Sequence, residues 1–320
     1  MNKDKTTFFI GDVSLDEYYS APYFPKPNDK VLLQTLPAQM GGSIANAACV
    51  YTSFGPSASF LTALNHGPLS QRLCAGLNRQ NIDTTHMVWD ETLPDSKCII
   101  IITGDENTVL IPTLNLQAME ISEATFEALC HSDYIYSTFC ELRPLRYQGM
   151  NAVETLKRIM RTGCRLWCDL DVADVQDGDE PFFELVDTMF INDFGYERLA
   201  QHVSGNPVEW MVGKGIQRVV VTHGDRGCTL FSSADELRMP GIPVEVVDVT
   251  GAGDTFCSAF LFAHTSGLDV RQCAEFANAA AALAVTAIGA RAGAVGVRRV
   301  LEFMMDHGID TAPYGFLATD

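Results

Sequence analysis

Two glycines and a carboxylate stand together late in this chain, in Asp248-Val-Thr-Gly-Ala-Gly-Asp254. Glycines at 251 and 253 let the backbone turn tightly and approach a ligand closely. The run opens a long helical pattern after an apolar, β-branched stretch (Ile242, Val244, Val246, Val247). The first N–H groups of a helix have no partner inside it, and the helix dipole puts partial positive charge there. The backbone of Gly251, Ala252 and Gly253 therefore reads as an anion hole. Asp254 adds a negative group beside it, which binding an anion does not require. An acid in that place suits removal of a proton from a hydroxyl that attacks a phosphate. The plainer role for Asp254 is to cap the helix that follows.

Asp248 to Asp254 has the Asp-x-Thr-Gly-Ala-Gly-Asp form of the PfkB-type carbohydrate kinases, the ribokinase family, and the chain resembles that family over nearly its whole length. The resemblance implies one ribokinase-like domain over residues 1–320. Its fold would be α/β, a three-layer α/β/α sandwich on a mostly parallel sheet. A small β-sheet lid would come from about 16–36 and 97–113. It implies an ATP-dependent phosphotransferase acting on an alcohol, with Asp254 as base, Gly251, Ala252 and Gly253 as anion hole, and Mg²⁺ on the phosphates. A homodimer through the lid is also implied.

Other segments fit residue by residue. Asp12 and Asp16 stand where the family places an acid that accepts hydrogen bonds from sugar hydroxyls, a task suited to carboxylates. Capping or turn formation is the plain alternative for both. Gly41-Gly42-Ser-Ile-Ala-Asn46-Ala-Ala matches Gly-Gly-x-x-x-Asn-x-Ala, which implies sugar contacts from Gly41, Gly42 and Asn46. Arg143, with Arg146 nearby, falls in a loop the family uses near substrate. On the ATP side, Thr222, Gly224 and Gly227 match Thr-x-Gly-x-x-Gly, and Asn278 stands where relatives hold the adenine edge. Relatives bind a monovalent cation such as K⁺ between a turn matching Asp248–Thr250 and a loop matching Gly289–Gly293.

Two segments depart from the pattern. Where many members read Asn-x-x-Glu near Mg²⁺, this chain has Asn192-Asp-Phe-Gly195. Asn192 is in place; Asp193 or Glu197 could stand in for the missing carboxylate, although helical spacing points Glu197 elsewhere, and Mg²⁺ bound through water and phosphates does not require it. Where many read Asp-x-Asn, it has Asp169-Leu-Asp171. Both changes lean towards the branch that phosphorylates ketohexoses. A nucleoside kinase and a catalytically weak sugar sensor are the competing readings.

The elements that must hold these residues alternate. Strands are expected at Thr7–Gly11, Ala58–Leu61, Tyr134–Ser137, Arg165–Asp169, Thr188–Ile191, Arg218–Thr222 and Thr229–Phe231. Helices are expected at Ser43–Ser53, Leu69–Gln80, Gln148–Arg161, Val208–Gly213, Thr255–His264 and Val270–Ala287. Such alternation predicts a parallel sheet covered on both faces, with ligands at the carboxyl ends of its strands. Cys98–Thr103 and Thr108–Pro112, joined through Gly104–Asn107, read as a hairpin.

A formal net charge of −18 argues against nucleic acid and anionic membranes as partners. No run approaches the ~18 apolar residues of a membrane span. The N-terminus lacks the apolar region of a signal peptide, so the reading is cytoplasmic. Ten scattered cysteines contain no Cys-x-x-Cys pair and read as reduced core residues. The absence of Gly-Lys-Ser/Thr excludes a P-loop, and Phe256 after Gly-Ala-Gly-Asp-Thr excludes a dinucleotide fingerprint.

Overall fold

The structure, a computed structural model, describes residues 6–104, 106–170 and 175–318. Fourteen strands build its two larger sheets. They are β1 (Thr7–Ile10), β2 (Ser14–Ser20), β3 (Gln34–Thr35), β4 (Gln39–Gly41), β5 (Ala58–Leu61), β6 (Ile82–Asp83) and β7 (Lys97–Thr103), then β8 (Glu106–Leu110), β9 (Tyr134–Ser137), β10 (Arg165–Asp169), β11 (Val186–Asn192), β12 (Arg218–Thr222), β13 (Cys228–Phe231) and β14 (Glu236–Met239). The central sheet runs β14-β13-β12-β11-β10-β9-β1-β5-β6. It is parallel from β12 to β6, with β13 and β14 added antiparallel at one edge.

Eleven α-helices lie among the described residues: α1 (Ser43–Ser53), α2 (Pro68–Asn78), α3 (Glu123–His131), α4 (Phe139–Leu142), α5 (Ala152–Met160), α6 (Glu180–Phe183), α7 (Asp193–Leu199), α8 (Pro207–Gly213), α9 (Ala252–Thr265), α10 (Val270–Ala284) and α11 (Val297–Asp306). Because side chains alternate along each strand, Phe9 and Val220 face α1, α9 and α10, while Ile10, Val219 and Val221 face α3, α5 and α8. Both faces are apolar, which makes the three-layer sandwich the stable solution. Trp167, Phe190 and Phe260 meet under the sheet, and each such buried ring contributes roughly 1.5–3 kcal/mol.

The second sheet is β8-β7-β2-β3, with β4 on β2. The chain passes from β1 into β2 through Gly11–Val13, so this smaller sheet stands at the carboxyl end of the central one. The hairpin β7–β8 forms as expected, although Asp105 in its turn lies outside the described residues.

Several boundaries shift for local reasons. α5 begins at Ala152 rather than Gln148, because Asn151 and Glu154 form a capping box and Gln148 and Gly149 take positive φ. α10 stops at Ala284. The apolar stretch before Asp248 is not a strand. Val247 and Asp248 instead donate to Val285 O at the end of α10. Seven cysteines are buried, but Cys140 is exposed, against the expectation of a core role. No helix among the described residues is long and apolar enough to cross a membrane.

Candidate active site

Small residues set the site. Ala45, Ala47 and Ala48 of α1 are fully buried, and α9 packs closely on them. Ser258 Oγ on α9 donates to Ala47 O at 2.7 Å. One turn earlier on α9 lies Asp254, facing Asn46 and Ser43. Asp254 Oδ1 accepts from Ser43 Oγ at 2.6 Å, and Oδ2 accepts from Asn46 Nδ2 at 3.3 Å. Gly253 beside it is exposed and Asp254 half-buried, so the carboxylate stands at an opening and not in the interior.

Gly251 caps α9 with φ 76°, and a Cβ there would lie 2.0 Å from Ala290 O. Both the left-handed backbone and the close approach exclude a side chain. The Gly253 N–H has no backbone acceptor among the described residues. Ala252 corrects the expectation. Its N–H donates to Val249 O at 3.2 Å, so the turn itself engages one of the three amides read as an anion hole.

Asp248 Oδ1 accepts from Thr250 N–H and Oδ2 from Gly289 N–H, each at 2.9 Å. Burial acts to raise this carboxyl, and the N–H donors outweigh it, leaving it below its ordinary value. Asp248 thus ties the 248–250 turn to the loop after α10.

At the carboxyl end of β1, Asp12 Oδ2 and Oδ1 accept from the Ser43 and Ile44 N–H groups, each at 2.9 Å. The residue at the N-cap of α1 is Gly42, φ 95°, which has no side chain to offer. Asp12 therefore caps the helix from outside, the plainer of its two expected roles. Asp16 is buried and accepts from Ser14 Oγ at 2.8 Å. A Cβ on Gly41 would sit 1.9 Å from Asp16 Oδ2, so glycine there makes room for that carboxylate. Burial pushes Asp16 up, against the Ser14 hydroxyl and the Arg291 charge.

Three residues at this end escaped the sequence reading. Ser43 lay in view inside the Gly-Gly-Ser-Ile run. Glu141, on α4, is pushed up to about 8 by burial and by the Asp12 charge. Arg291 reaches back from the loop after α10, its Nε donating to Asn46 Oδ1 at 2.9 Å and its Nη2 to Gly41 O at 3.3 Å. Arg143 was expected near substrate. It forms a bidentate pair with Asp179, Nε to Oδ1 at 2.9 Å and Nη2 to Oδ2 at 2.5 Å, and the Asp179 side chain is only 4% exposed. That places Arg143 in the scaffold between α4 and α6.

Beyond the anion hole, Thr222 ends β12, and Gly224 and Gly227 flank a single 3₁₀ turn. Asn278, 8% exposed, donates to Pro240 O at 3.2 Å. It borders a pocket of ≈ 270 Å³ with Met239–Pro243, Glu275, His307 and Ile309. Asn192 caps α7, accepting from Gly195 N–H at 2.7 Å.

A sequence profile described as pfkB family carbohydrate kinase matches residues 6–295. The chain belongs to that family. Among curated relatives, ribokinase of Haemophilus influenzae is 25% identical over 94% of this chain and 98% of its own length. A nucleoside kinase of Methanocaldococcus jannaschii is 21% identical over 94% and 97%. Arabidopsis thaliana ribokinase, solved with ribose and ATP, shares the fold with TM-score 0.80 and 21% identity over 94% of this chain and 98% of that one. A putative Escherichia coli ribokinase II, solved with ATP and Mg²⁺, does so with TM-score 0.79 and 18% identity over 95% and 100%. The protein is accordingly a phosphotransferase with an alcohol acceptor.

For a PfkB-family kinase, the segment after β11 is unusual. A Cβ on Gly195 would lie 3.1 Å from both Ile191 Cγ1 and Leu170 O, so a side chain starting here would press on both neighbours. The two candidates for its place have other surroundings. Asp193 binds His223 Nδ1 at 2.6 Å and Arg226 Nη2 at 2.5 Å, and Glu197 is exposed. No cluster of three His, Cys, Asp or Glu suited to a metal occurs among the described residues, and Asp171 of the second departure lies outside them.

Proposed function

We propose that this kinase transfers the γ-phosphoryl group of ATP to a hydroxyl of a neutral monosaccharide, with Asp254 as general base. One observation carries the reading. A single carboxylate on the first turn of α9, beside an unfilled backbone N–H, is held by Ser43 and Asn46 of the opposite half of the chain. The acceptor hydroxyl oxygen would attack the γ-phosphorus. Its proton passes to Asp254 as the bond to the β–γ bridging oxygen breaks and ADP leaves. N–H groups around Gly251 and Gly253 meet charge growing on the phosphoryl oxygens, an effect worth ~3 kcal/mol per well-placed donor. A Mg²⁺ bound with the nucleotide would supply further charge neutralisation there. Thr222, Gly224 and Gly227 would flank the phosphates and ribose, and the Asn278 pocket would take the base.

Asp12, Asp16, Gly41, Gly42 and Asn46 would form the sugar side. Its carboxylates outnumber Arg291, which favours polyhydroxylated neutral acceptors over sugar acids and sugar phosphates. A nucleoside acceptor is the second reading, favoured by the likeness to the Methanocaldococcus jannaschii nucleoside kinase. Asp248 and Thr250, bridged to Gly289, would frame a K⁺ site. The exposed Leu32, Leu110 and Ile111 of the small sheet region favour a homodimer through that face.

ADP release across pentoses, ketohexoses, aldohexoses, adenosine, inosine and cytidine, each with Mg²⁺, tests the reading. Turnover on a sugar supports it, and turnover only on nucleosides moves the acceptor class. Silence with ligand-induced thermal shifts makes the protein a sensor and overturns it.

A further inference from the structure

We propose that Arg291 is a positioning residue for the phosphoryl-transfer site: it fixes the orientation of the Asn46 carboxamide and, through it, the Asp254 carboxylate. This rests on the proposed role of Asp254.

Asn46 is buried between two groups of opposite hydrogen-bonding character. On one side, Arg291 Nε donates to Oδ1 at 2.9 Å; on the other, Nδ2 donates to Asp254 Oδ2 at 3.3 Å. A guanidinium has only donors and an ionised carboxylate only acceptors. A carboxamide wedged between them has one permitted orientation. Turning it over would set NH₂ against N–H and oxygen against oxygen, leaving buried polar groups unpaired.

Without Arg291, Asn46 Oδ1 loses its partner and the carboxamide is held from one side only, by its 3.3 Å contact to Asp254, so it is no longer kept from tilting out of place. The Asp254 carboxylate would then lose a fixed donor and could shift on Ser43 Oγ. Proximity effects are steep, since a displacement of about 1 Å can cost ~10²-fold in rate.

Arg291 is itself held from several directions. Its Nη2 donates to Gly41 O. Its own loop is fixed by Asp248, which accepts from Gly289 N–H, and by the Ala292 N–H to Gly289 O bond of 3.0 Å. The Asp16 carboxylate and the buried Cys49 thiol also feel its charge. The loop after α10 thus reports, through one guanidinium, to the glycine turn before α1 and to the acid on α9. No sequence pattern carries this relation, because 245 residues separate Arg291 from Asn46.

The test is a double-mutant cycle of Arg291→Ala and Asn46→Ala with the best acceptor from the panel, joined by Arg291→Lys and by crystal structures of wild type and Arg291→Ala. Positioning through Asn46 predicts a fall in kcat of about tenfold or more for Arg291→Ala, with KM for ATP within twofold. The double variant should be no worse than Asn46→Ala within twofold, because residues in one network do not act additively. Lysine should not restore kcat, because it cannot donate from the Nε position. In the Arg291→Ala crystal, the Asn46 Nδ2 contact to Asp254 should be lost. Multiplying losses in the double variant, full rescue by lysine, a change confined to KM of the acceptor, or an Asn46 that stays in place would each overturn the proposal. Thermal melts of every variant separate these outcomes from unfolding. Turnover by no acceptor would defeat the kinase reading, and the crystal structures would still decide Arg291.

Discussion

If Asp254 is the base, the sugar end and the nucleotide end of the proposed site are organised by different means. At the sugar end, functional side chains hold one another across great sequence distances: Ser43 and Asn46 to Asp254, Arg291 to Asn46. At the nucleotide end, polar groups are tied close by. Asn192 caps its own helix, Asp193 grips His223 and Arg226, and Asn278 spans to Pro240. Open pockets of ≈ 560 and ≈ 270 Å³ accompany the second arrangement. The contrast teaches where precision is needed. A base must be aimed at one hydroxyl proton, and a carboxylate displaced by an ångström is a poor one. A nucleotide presents a large flat base and several phosphate oxygens, so a roomy pocket and a few backbone donors are enough.

The largest effect should come from removing the aimed group. Asp254→Asn is expected to lose at least ~10²-fold in kcat, the low end for a lost general base, while calorimetry shows ATP still bound. Near-normal turnover would erase the distinction between the two ends. Next comes the scaffold under the sugar end. Arg143→Met leaves the buried Asp179 carboxylate with the Gln176 N–H but no counter-charge, and removing one member of a buried pair costs on the order of 3–5 kcal/mol. Denaturant melts should show that loss, while KM for the acceptor stays within twofold. A rise in acceptor KM without loss of stability would return Arg143 to the substrate site.

A smaller effect is expected where the nucleotide end departs from its family. Gly195→Glu forces a side chain between Ile191 and Leu170, and such overpacking costs about 1–3 kcal/mol. The Mg²⁺ dependence of turnover should not improve. If this variant tightens Mg²⁺ use and keeps its melting temperature, crowding at Gly195 is not the reason glutamate is missing.

The subtlest prediction concerns pH. Glu141 has its carboxyl pushed from an ordinary 4.5 to about 8 in the folded protein. Between these values the native state holds a proton that the unfolded chain has released. Its contribution to stability is therefore full below 4.5 and is lost as pH rises through about 8. Wild type should lose more melting temperature between pH 5 and pH 8 than Glu141→Gln does. Equal losses would mean that Asp12 and Glu141 do not share a low-dielectric site.

Motif and fold were legible because their causes are local. The Gly-Ala-Gly-Asp turn, the Gly-Gly-x-x-x-Asn run and the alternation of strand and helix all sit within short windows. The missing parts have causes outside any window. Asp12 was visible as an acid at a strand end, but its capping of α1 depends on Gly42 being unable to cap. Arg143 carried the right charge in the right loop, and only the packing of α6 shows that Asp179 claims it. Ala252 looked like an anion-hole donor until the turn closed on Val249. Glu141 and Arg291 stood among small or apolar neighbours with no pattern to mark them. Spacing in a chain thus shows which groups can do chemistry, and packing decides which are already spoken for.

Ser43 and Asp254 touch across 211 residues, and Arg291 closes the set from nearer still to the carboxyl terminus. During synthesis, therefore, no portion that stops short of Arg291 holds the whole set of contacts. The acid enters the growing chain long after its amino-terminal partners, and the guanidinium follows later again. A break anywhere between them parts groups that hold one another in the folded protein, so the proposed site would need both pieces reassembled.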